Sequence, residues 1–341
     1  MPLIIYGKPL GSTIPKPFRE LWEICPKLKE ASERLREIPT RELNPKGLLY
    51  VGQNEFAGTS PTDDSISYLG TDSATTCHIA VLTETGSGAT CIGHFDGSLT
   101  SKGVHGMLQT ILDIADPIVG RSSIISSVQP ISHRLLQPNL GNIHPRLELT
   151  LAGGFSDSRN LSVKVSEHLL SEFNKVPLDI HLMYAVITDL NTVMKGDIAF
   201  PVILGLGVDM KTREIFPATF TDRGPDYPLR NVQRTCNWRV FFPCIYDFKI
   251  RRVVINSFDY SNWDLSMVQK IIQLSDEEIL QQNSTSPEQE PPNFLEDFRN
   301  MFRFVLDHPD PLVSVFPNGL PRYYKQSSDG RWVFDGHTCP S

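Results

Sequence analysis

Residues 70–97 read Gly-Thr-Asp-Ser-Ala-Thr-Thr-Cys-His-Ile-Ala-Val-Leu-Thr-Glu-Thr-Gly-Ser-Gly-Ala-Thr-Cys-Ile-Gly-His-Phe-Asp-Gly. Two β-prone runs, 75–83 and 89–95, flank Thr85-Gly86-Ser87-Gly88, whose glycines tolerate positive φ, so the stretch predicts a β-hairpin. Folding there sets Cys77 opposite a residue near Asp96. His94 is then a cross-strand diagonal away, about 7–8 Å at Cα, which long side chains can close. A thiol beside an imidazole is the minimal machinery for attack on a carbonyl: the His is expected to hold the Cys as thiolate and later to protonate the leaving amine. His78 competes for that role, but strand alternation sends residues 77 and 78 to opposite faces. A buried Cys also serves as a small hydrophobe. The approach favours chemistry: Ser73, Thr75, Thr76 and the turn-like Thr71-Asp72 place small polar residues where backbone N–H groups would meet an oxyanion.

The flanking sequence builds outward from the hairpin. Before it, Phe18, Leu21, Trp22, Cys25, Leu28, Leu35 and Ile38 recur at three and four, a helical stripe that Pro26 kinks or restarts. Residues 48–56 and 65–69 read as strands joined by the turn chemistry of 59–64. Ser60 on that loop is either a turn hydroxyl capping its own backbone or a hydrogen-bond partner of substrate. After the hairpin, 103–115 is a helix, and 117–145, rich in Ser and Pro, reads as an irregular surface loop. Residues 146–152 alternate as a strand and run through Gly153-Gly154 into a helix with Ser156 or Asp157 as N-cap. Asp157 has a second reading, a carboxylate at a strand's end holding the α-ammonium of a substrate. Residues 180–189, 201–208 and 214–220 continue as strands, and the aromatic-rich 240–255 adds one or two more. The Ser/Pro/Glu-rich segment 284–292 reads as an exposed linker. It leads into an amphipathic helix over 293–308 and a closing hairpin around Ser327-Ser328-Asp329-Gly330.

Strands in runs with helices between them predict an α+β fold, a mixed or antiparallel sheet pair flanked by helices. The expected domain organisation is a catalytic α+β domain over 1–283, with 117–145 as a loop insertion, a linker at 284–292, and a C-terminal helix and hairpin over 293–341 packed on the same domain. A net charge of −7 over 341 residues, with no basic patch, argues against a nucleic-acid surface. No apolar run is long enough to span a bilayer, and the N-terminal stretch is too short for a signal peptide. A soluble chain without nucleic-acid or membrane partners is expected, in the cytoplasm and with the nucleus as a second compartment. The six cysteines form no C-x-x-C pair and no cluster at zinc spacing, so free thiols, no metal and no cofactor are expected; Cys91 reads as a packed core thiol.

Several motifs carry a resemblance. Gly47-Leu-Leu-Tyr-Val51, Thr59-Ser-Pro61, Asp72-Ser-Ala-Thr-Thr-Cys-His78, Gly88-Ala-Thr-Cys91 with His94-Phe-Asp-Gly97, and Gly153-Gly-Phe-Ser-Asp157 are similar to the protein N-terminal asparagine amidohydrolase family. Leu170-Ser-Glu-Phe173, Asp179-Ile-His-Leu182, Asp222-Arg-Gly-Pro225, Ser284-Thr-Ser-Pro287 and Glu290-Pro-Pro292 continue the match in order towards the tail. Two stretches depart from the pattern, 117–145 and 227–263, which puts accessory contacts rather than chemistry in question. More distantly, the resemblance points to cysteine-dependent toxin deamidases with a central β-sandwich carrying a paired Cys and His.

The resemblance implies hydrolysis of the side-chain amide of an asparagine at a protein's N-terminus, giving aspartate and ammonia and feeding ubiquitin-dependent degradation. Its substrates would be proteins bearing that residue, and the enzyme is expected to be a monomer. Cys77 and His94 are the expected catalytic pair, with Ser60, Asp72, Thr76, Asp157 and Pro2 as supporting candidates. Pro2, exposed by Met removal, is either an edge-strand start or a neighbour of the site. Two rival readings use the same residues: a Cys/His protease or internal glutamine deamidase, and a non-enzymatic binder of protein N-termini in which Cys77 is only packed.

Overall fold

The computed structural model describes residues 3–11, 14–15, 18–115, 146–237 and 240–340. Pro2 and the 117–145 insertion lie outside the described residues. Two short strands, β1 (Ile4–Ile5) and β2 (Lys8–Pro9), precede the helices α1 (Arg19–Ile24) and α2 (Pro26–Glu37). Pro26 opens α2 at its first turn, where the missing N–H has no partner to lose, so the apolar stripe is divided there into two helices. Next come β3 (Arg41–Leu43), β4 (Leu48–Tyr50), β5 (Phe56–Thr59), β6 (Tyr68–Thr71) and the hairpin strands β7 (His78–Glu84) and β8 (Thr90–Phe95), followed by α3 (Thr100–Ala115). The chain continues through β9 (Leu147–Gly153), α4 (Leu161–Lys175), β10 (Ile180–Ile187), the hairpin β11 (Thr192–Lys195) and β12 (Ile198–Pro201), β13 (Leu206–Asp209) and β14 (Ile215–Phe220). Its last part is α5 (Tyr227–Asn237), β15 (Tyr246–Asp247), β16 (Arg252–Ile255), α6 (Leu265–Ile272), α7 (Asp276–Asn283), α8 (Phe294–Asp307), α9 (Pro311–Ser314), β17 (Arg322–Gln326) and β18 (Trp332–Gly336).

The predicted hairpin lies inside a seven-stranded mixed sheet, in the order β2-β1-β10-β9-β7-β8-β5. A five-stranded mixed sheet, β3-β14-β13-β6-β4, packs on one face of it. Ile79, Val81 and Ile92 from the larger sheet and Leu49, Leu69, Leu206 and Val208 from the smaller share one buried core. Ala80, Leu82, Cys91 and Phe95 turn the other way, into a second core closed by α3 and α4. The two faces separate by strict alternation along β7 and β8. The architecture is therefore α+β with two facing mixed sheets. The C-terminal elements join the inter-sheet core through Met301, Phe302, Val305, Phe316 and Tyr324. Among the described residues no helix is long and apolar enough to cross a membrane.

Two departures from the sequence reading bear on the site. Residues 48–56 do not form one strand: the chain turns at Gly52–Glu55, with Asn54 at φ +58° and Glu55 accepting from the Gly52 N–H at 2.7 Å. The turn passes β4 to the smaller sheet and β5 to the larger. Helices α5, α6 and α7 fall where the sequence reading assigns no element. In α5 the polar Arg230, Asn231 and Gln233 are buried alongside Leu229 and Val232.

Candidate active site

In the β7–β8 ladder Ile79 pairs directly with His94, so the imidazole shares the face of Ile79 and of Cys77 two residues before it. The register places Cys77 beside the position opposite Asp96, one diagonal from His94, as the hairpin arithmetic predicts. The backbone at Cys77 is clamped from β9. Gly154, at φ +62°, donates its N–H to the Cys77 carbonyl at 2.8 Å, and a Cβ on Gly153 would overlap that same oxygen. His78 faces the opposite way: its Nε2 meets Ser166 Oγ of α4 at 2.5 Å, and burial draws its pKa down to about 3.

Cys77 and His94 open onto a cavity of about 320 Å³. His94 Nδ1 lies 2.8 Å from Thr71 Oγ1 at the end of β6, while its Nε2 is buried with no hydrogen-bond partner among the described residues. With Thr71 accepting from Nδ1–H, Nε2 is left as the basic nitrogen, an arrangement chemically able to serve as nucleophile, base and orienting group. Burial pushes the Cys77 thiol up, with Asp96 and Glu290 adding to the effect and Arg234 opposing it. Burial likewise draws His94 down to about 4. Removal from water penalises both charged forms, so burial favours a neutral thiol and a neutral imidazole over an ion pair.

The opposite wall comes from elements remote in sequence. Helix α5 contributes Asn231, Arg234 and Thr235, α8 contributes Asp297, Phe298 and Met301, and the segment between α7 and α8 contributes Ser284, Thr285, Glu290 and Pro291. Residues 284–292, read as a linker, thus run along the cavity. Thr285 Oγ1 lies 2.8 Å from Thr76 Oγ1, and Arg159 donates to the Thr285 carbonyl. Helix α5 is pinned by the buried Arg230, which pairs with Glu55 and donates to the Tyr50 carbonyl at 3.0 Å.

The supporting candidates divide. Asp72 and Thr76 line the cavity. Asp72 is also the hub of a buried network, accepting from Tyr50 Oη at 2.8 Å, Ser73 Oγ at 3.0 Å, the Phe220 N–H at 3.2 Å and Arg223 at 3.3 Å. Ser60 lies outside it, on a turn with its Oγ 2.8 Å from Thr62 Oγ1. Asp157 also lies outside: its carboxylate accepts from the backbone N–H groups of Arg159, Leu161 and Ser162 at 2.8–3.1 Å, capping α4.

Four side chains at the site escape the sequence reading, three of them lining the cavity. Thr71 is adjacent in sequence to a candidate but carries no motif of its own. Arg234 and Asn231 sit in the 227–263 stretch that departs from the family pattern, which consequently bears on the site itself. Glu290 appears in a matching motif, yet its composition reads as linker. Its carboxyl accepts from Ser284 Oγ at 2.5 Å, no basic side chain among the described residues pairs with it, and burial raises its pKa. All six cysteines are free. Among the described residues no group of His, Cys, Asp and Glu forms a metal site.

Comparison with known proteins agrees with the motifs. The family model described as protein N-terminal asparagine amidohydrolase matches residues 38–122 and 119–334. The chain is 38% identical to the protein N-terminal asparagine amidohydrolase of Sus scrofa over 332 residues, covering 97% of each chain. The proteins of that name from Mus musculus and Homo sapiens are 39% and 37% identical over the same length and coverage.

Proposed function

The chain belongs to the protein N-terminal asparagine amidohydrolase family, and on that premise we propose that it hydrolyses the side-chain amide of an N-terminal asparagine, with Cys77 as nucleophile and His94 as the shuttling base. The observation that carries this reading is the shared face of Cys77 and His94, open to a cavity whose far wall holds Glu290, which pairs with no basic side chain among the described residues. The proton passes from the Cys77 sulfur to His94 Nε2 as the sulfur attacks the carboxamide carbon. The C–S bond forms while the carbonyl π pair moves to oxygen. Collapse breaks the C–N bond, and His94 gives its proton to the nitrogen, which leaves as ammonia. Water then adds to the thioester, its proton passing to His94; the C–S bond breaks and the sulfur takes that proton back. The new carboxyl group loses its proton to the departed ammonia. Backbone N–H groups of Thr76 and Cys77 are the nearest candidates for the oxyanion, and one such donor in a studied protease is worth about 2.7–4 kcal/mol.

One methylene separates Asn from Gln and supplies only about 1–3 kcal/mol of discrimination, so selectivity needs the α-ammonium held at a fixed distance from the sulfur. We assign that anchor to Glu290. Asp72 is saturated and Asp157 is engaged at α4, whereas an arriving ammonium would give the buried Glu290 its missing countercharge. The likeness to toxin deamidases, the cytoplasmic and nuclear setting and the link to ubiquitin-dependent degradation all rest on the family resemblance.

Mass spectrometry of an Asn-initiated peptide tests the reading: the amide-to-acid mass change is expected with the wild type and absent with Cys77→Ser and His94→Ala. N-acetylation should remove turnover, and Glu290→Gln should cost about 10–100-fold in kcat/KM, as for a charge-assisted hydrogen bond. Undiminished turnover by Cys77→Ser, or equal rates on acetylated and free peptides, would sink it.

A further inference from the structure

Among the described residues, Arg234 is the one arginine that lines the cavity yet pairs with no carboxylate. Arg223 and Arg230, on the same side of the molecule, are both committed to ion pairs, with Asp72, Asp297 and Glu55. Arg234 is half-buried, and its Nε is fully buried with no partner among the described residues. A buried guanidinium nitrogen without an acceptor is costly; Arg36 and Arg223 carry one too, but neither lines the cavity, so Arg234 alone of the three offers it to a ligand there. The helix that carries Arg234 is held in register by the Arg230–Glu55 pair one turn earlier, so the guanidinium is presented on a fixed element. Its charge acts on Cys77 and His94 alike, lowering the pKa of both, which sets it near the atoms where the reaction develops charge. Glu290 lies on the same cavity wall with the opposite need.

We infer that Arg234 is a catalytic residue that receives the carboxamide oxygen as it becomes an oxyanion and then holds the carboxylate of the aspartyl product. The inference rests on the proposed amidohydrolase reading and deepens it. The substrate brings an α-ammonium and a neutral amide; the product brings the same ammonium and a carboxylate. A cavity offering one free carboxyl and one free guanidinium complements the product and the oxyanionic intermediates better than the substrate. The guanidinium fork matches two oxygens at once, which the product carboxylate offers and the amide does not. No proton needs to move to or from Arg234: it stays charged throughout, and only the electron pair arriving on oxygen changes its partner. Two consequences follow. Asn-to-Asp conversion is limited by product at high turnover, and peptides beginning with Asp are competitive inhibitors while those beginning with Ala are weak ones.

The test uses the full chain carrying Cys77→Ala, so that binding is read without turnover, with Asn-, Asp- and Ala-initiated peptides of otherwise identical sequence titrated by calorimetry. Asp is expected to bind about tenfold or more tightly than Asn, and Arg234→Met in that background should erase the preference while leaving Asn binding within about threefold. In the catalytically intact protein, Arg234→Met should lower kcat by about 100–1,000-fold, the loss typical of one oxyanion donor. Arg234→Lys, which keeps the charge but not the fork, should recover part of kcat and little of the Asp preference. General damage to α5 would weaken Asn and Asp peptides together, which overturns the inference, as does an Asp preference that survives Arg234→Met. If the Cys77→Ala protein binds neither peptide, the amidohydrolase reading of the cavity falls as well; if it binds both equally, only the role of Arg234 does.

Discussion

The cavity has two walls built on different physics. On one side Cys77, His94 and Thr71 stand on strands or at their ends, where ladder hydrogen bonds and two cores fix the backbone. On the other, Arg234, Glu290 and Asp297 come from α5, α8 and the segment between helices, where Leu229, Val232, Met301 and Phe302 pack into the inter-sheet core and side-chain charge adds pins: Arg230 to Glu55, Arg223 to Asp72 and Asp297, Arg159 to the Thr285 carbonyl. A ladder distributes its strength over many equivalent bonds, so no single side chain decides where Cys77 sits. A wall held by ion pairs has identifiable pins, and removing one leaves its partner buried and uncompensated. The proposed chemistry stands on the first wall and the proposed recognition of charge on the second.

That contrast predicts its largest effect at Arg230. Arg230→Met strands the buried Glu55 carboxylate, which also accepts the Gly52 N–H at the corner between the sheets, and should cost about 3–5 kcal/mol in urea unfolding. Replacing Glu55 and Arg230 together with apolar residues should recover much of that loss. A single variant within about 1 kcal/mol of wild type would mean that α5 is held by its packing, as the sheets are, and the distinction between the walls would fail.

The sheet wall carries its own vulnerability, acid. His94 falls from its ordinary 6.5 to about 4 on burial, so the unfolded chain binds a proton that the folded chain refuses between those values. Stability therefore rises with pH through this window. It is complete above about 6.5 and is lost as pH falls from there towards 4, by about 3 kcal/mol for this one group. His78, drawn down to about 3, extends the loss to lower pH. Urea midpoints at pH 7 and 4.5 should thus differ much more for the wild type than for His94→Gln. Equal pH dependence in the two proteins would show that His94 is protonated without unfolding, and hence that water reaches the sheet wall.

The same contrast explains what could be read from the chain. Alternation along Thr75–Thr83 and Ala89–Phe95 carries the hairpin, its register and the opposite facing of His78, because in a strand the face of a side chain follows from counting by two. Cys91 packs in the outer core as read. The Ser/Pro/Glu run at 284–292 has the composition of a linker, and nothing local reveals that Thr285 meets Thr76 across the cavity. Arg234 and Asn231 are polar residues of α5, and hydrophobic spacing, which marks Leu229 and Val232, does not reveal that they reach the cavity. Residues 48–56 read as one strand because both halves are apolar; the corner depends on Asn54 at positive φ and on Glu55, whose partner Arg230 is remote in sequence. Ladders are legible; pins between distant segments are not.

The smallest effect tests where the second wall ends. Asp157 lies past β9, close enough in sequence to the Gly153–Gly154 clamp to suggest a role in binding, yet its two oxygens accept three backbone N–H groups at the amino end of α4. A carboxylate there satisfies donors that the helix cannot satisfy itself and meets the positive end of its dipole. Asp157→Ala should therefore cost about 0.5–2 kcal/mol of stability, the range for a lost cap, and Asp157→Asn, which still accepts hydrogen bonds, markedly less. Neither should raise KM for an Asn-initiated peptide by more than about twofold, since the ammonium is assigned to Glu290 across the cavity. The pair of variants separates charge from capping. If Asp157→Asn leaves the urea midpoint in place but raises KM tenfold, the negative charge at residue 157 is felt by the substrate, and the recognising wall extends from the helices onto the sheet.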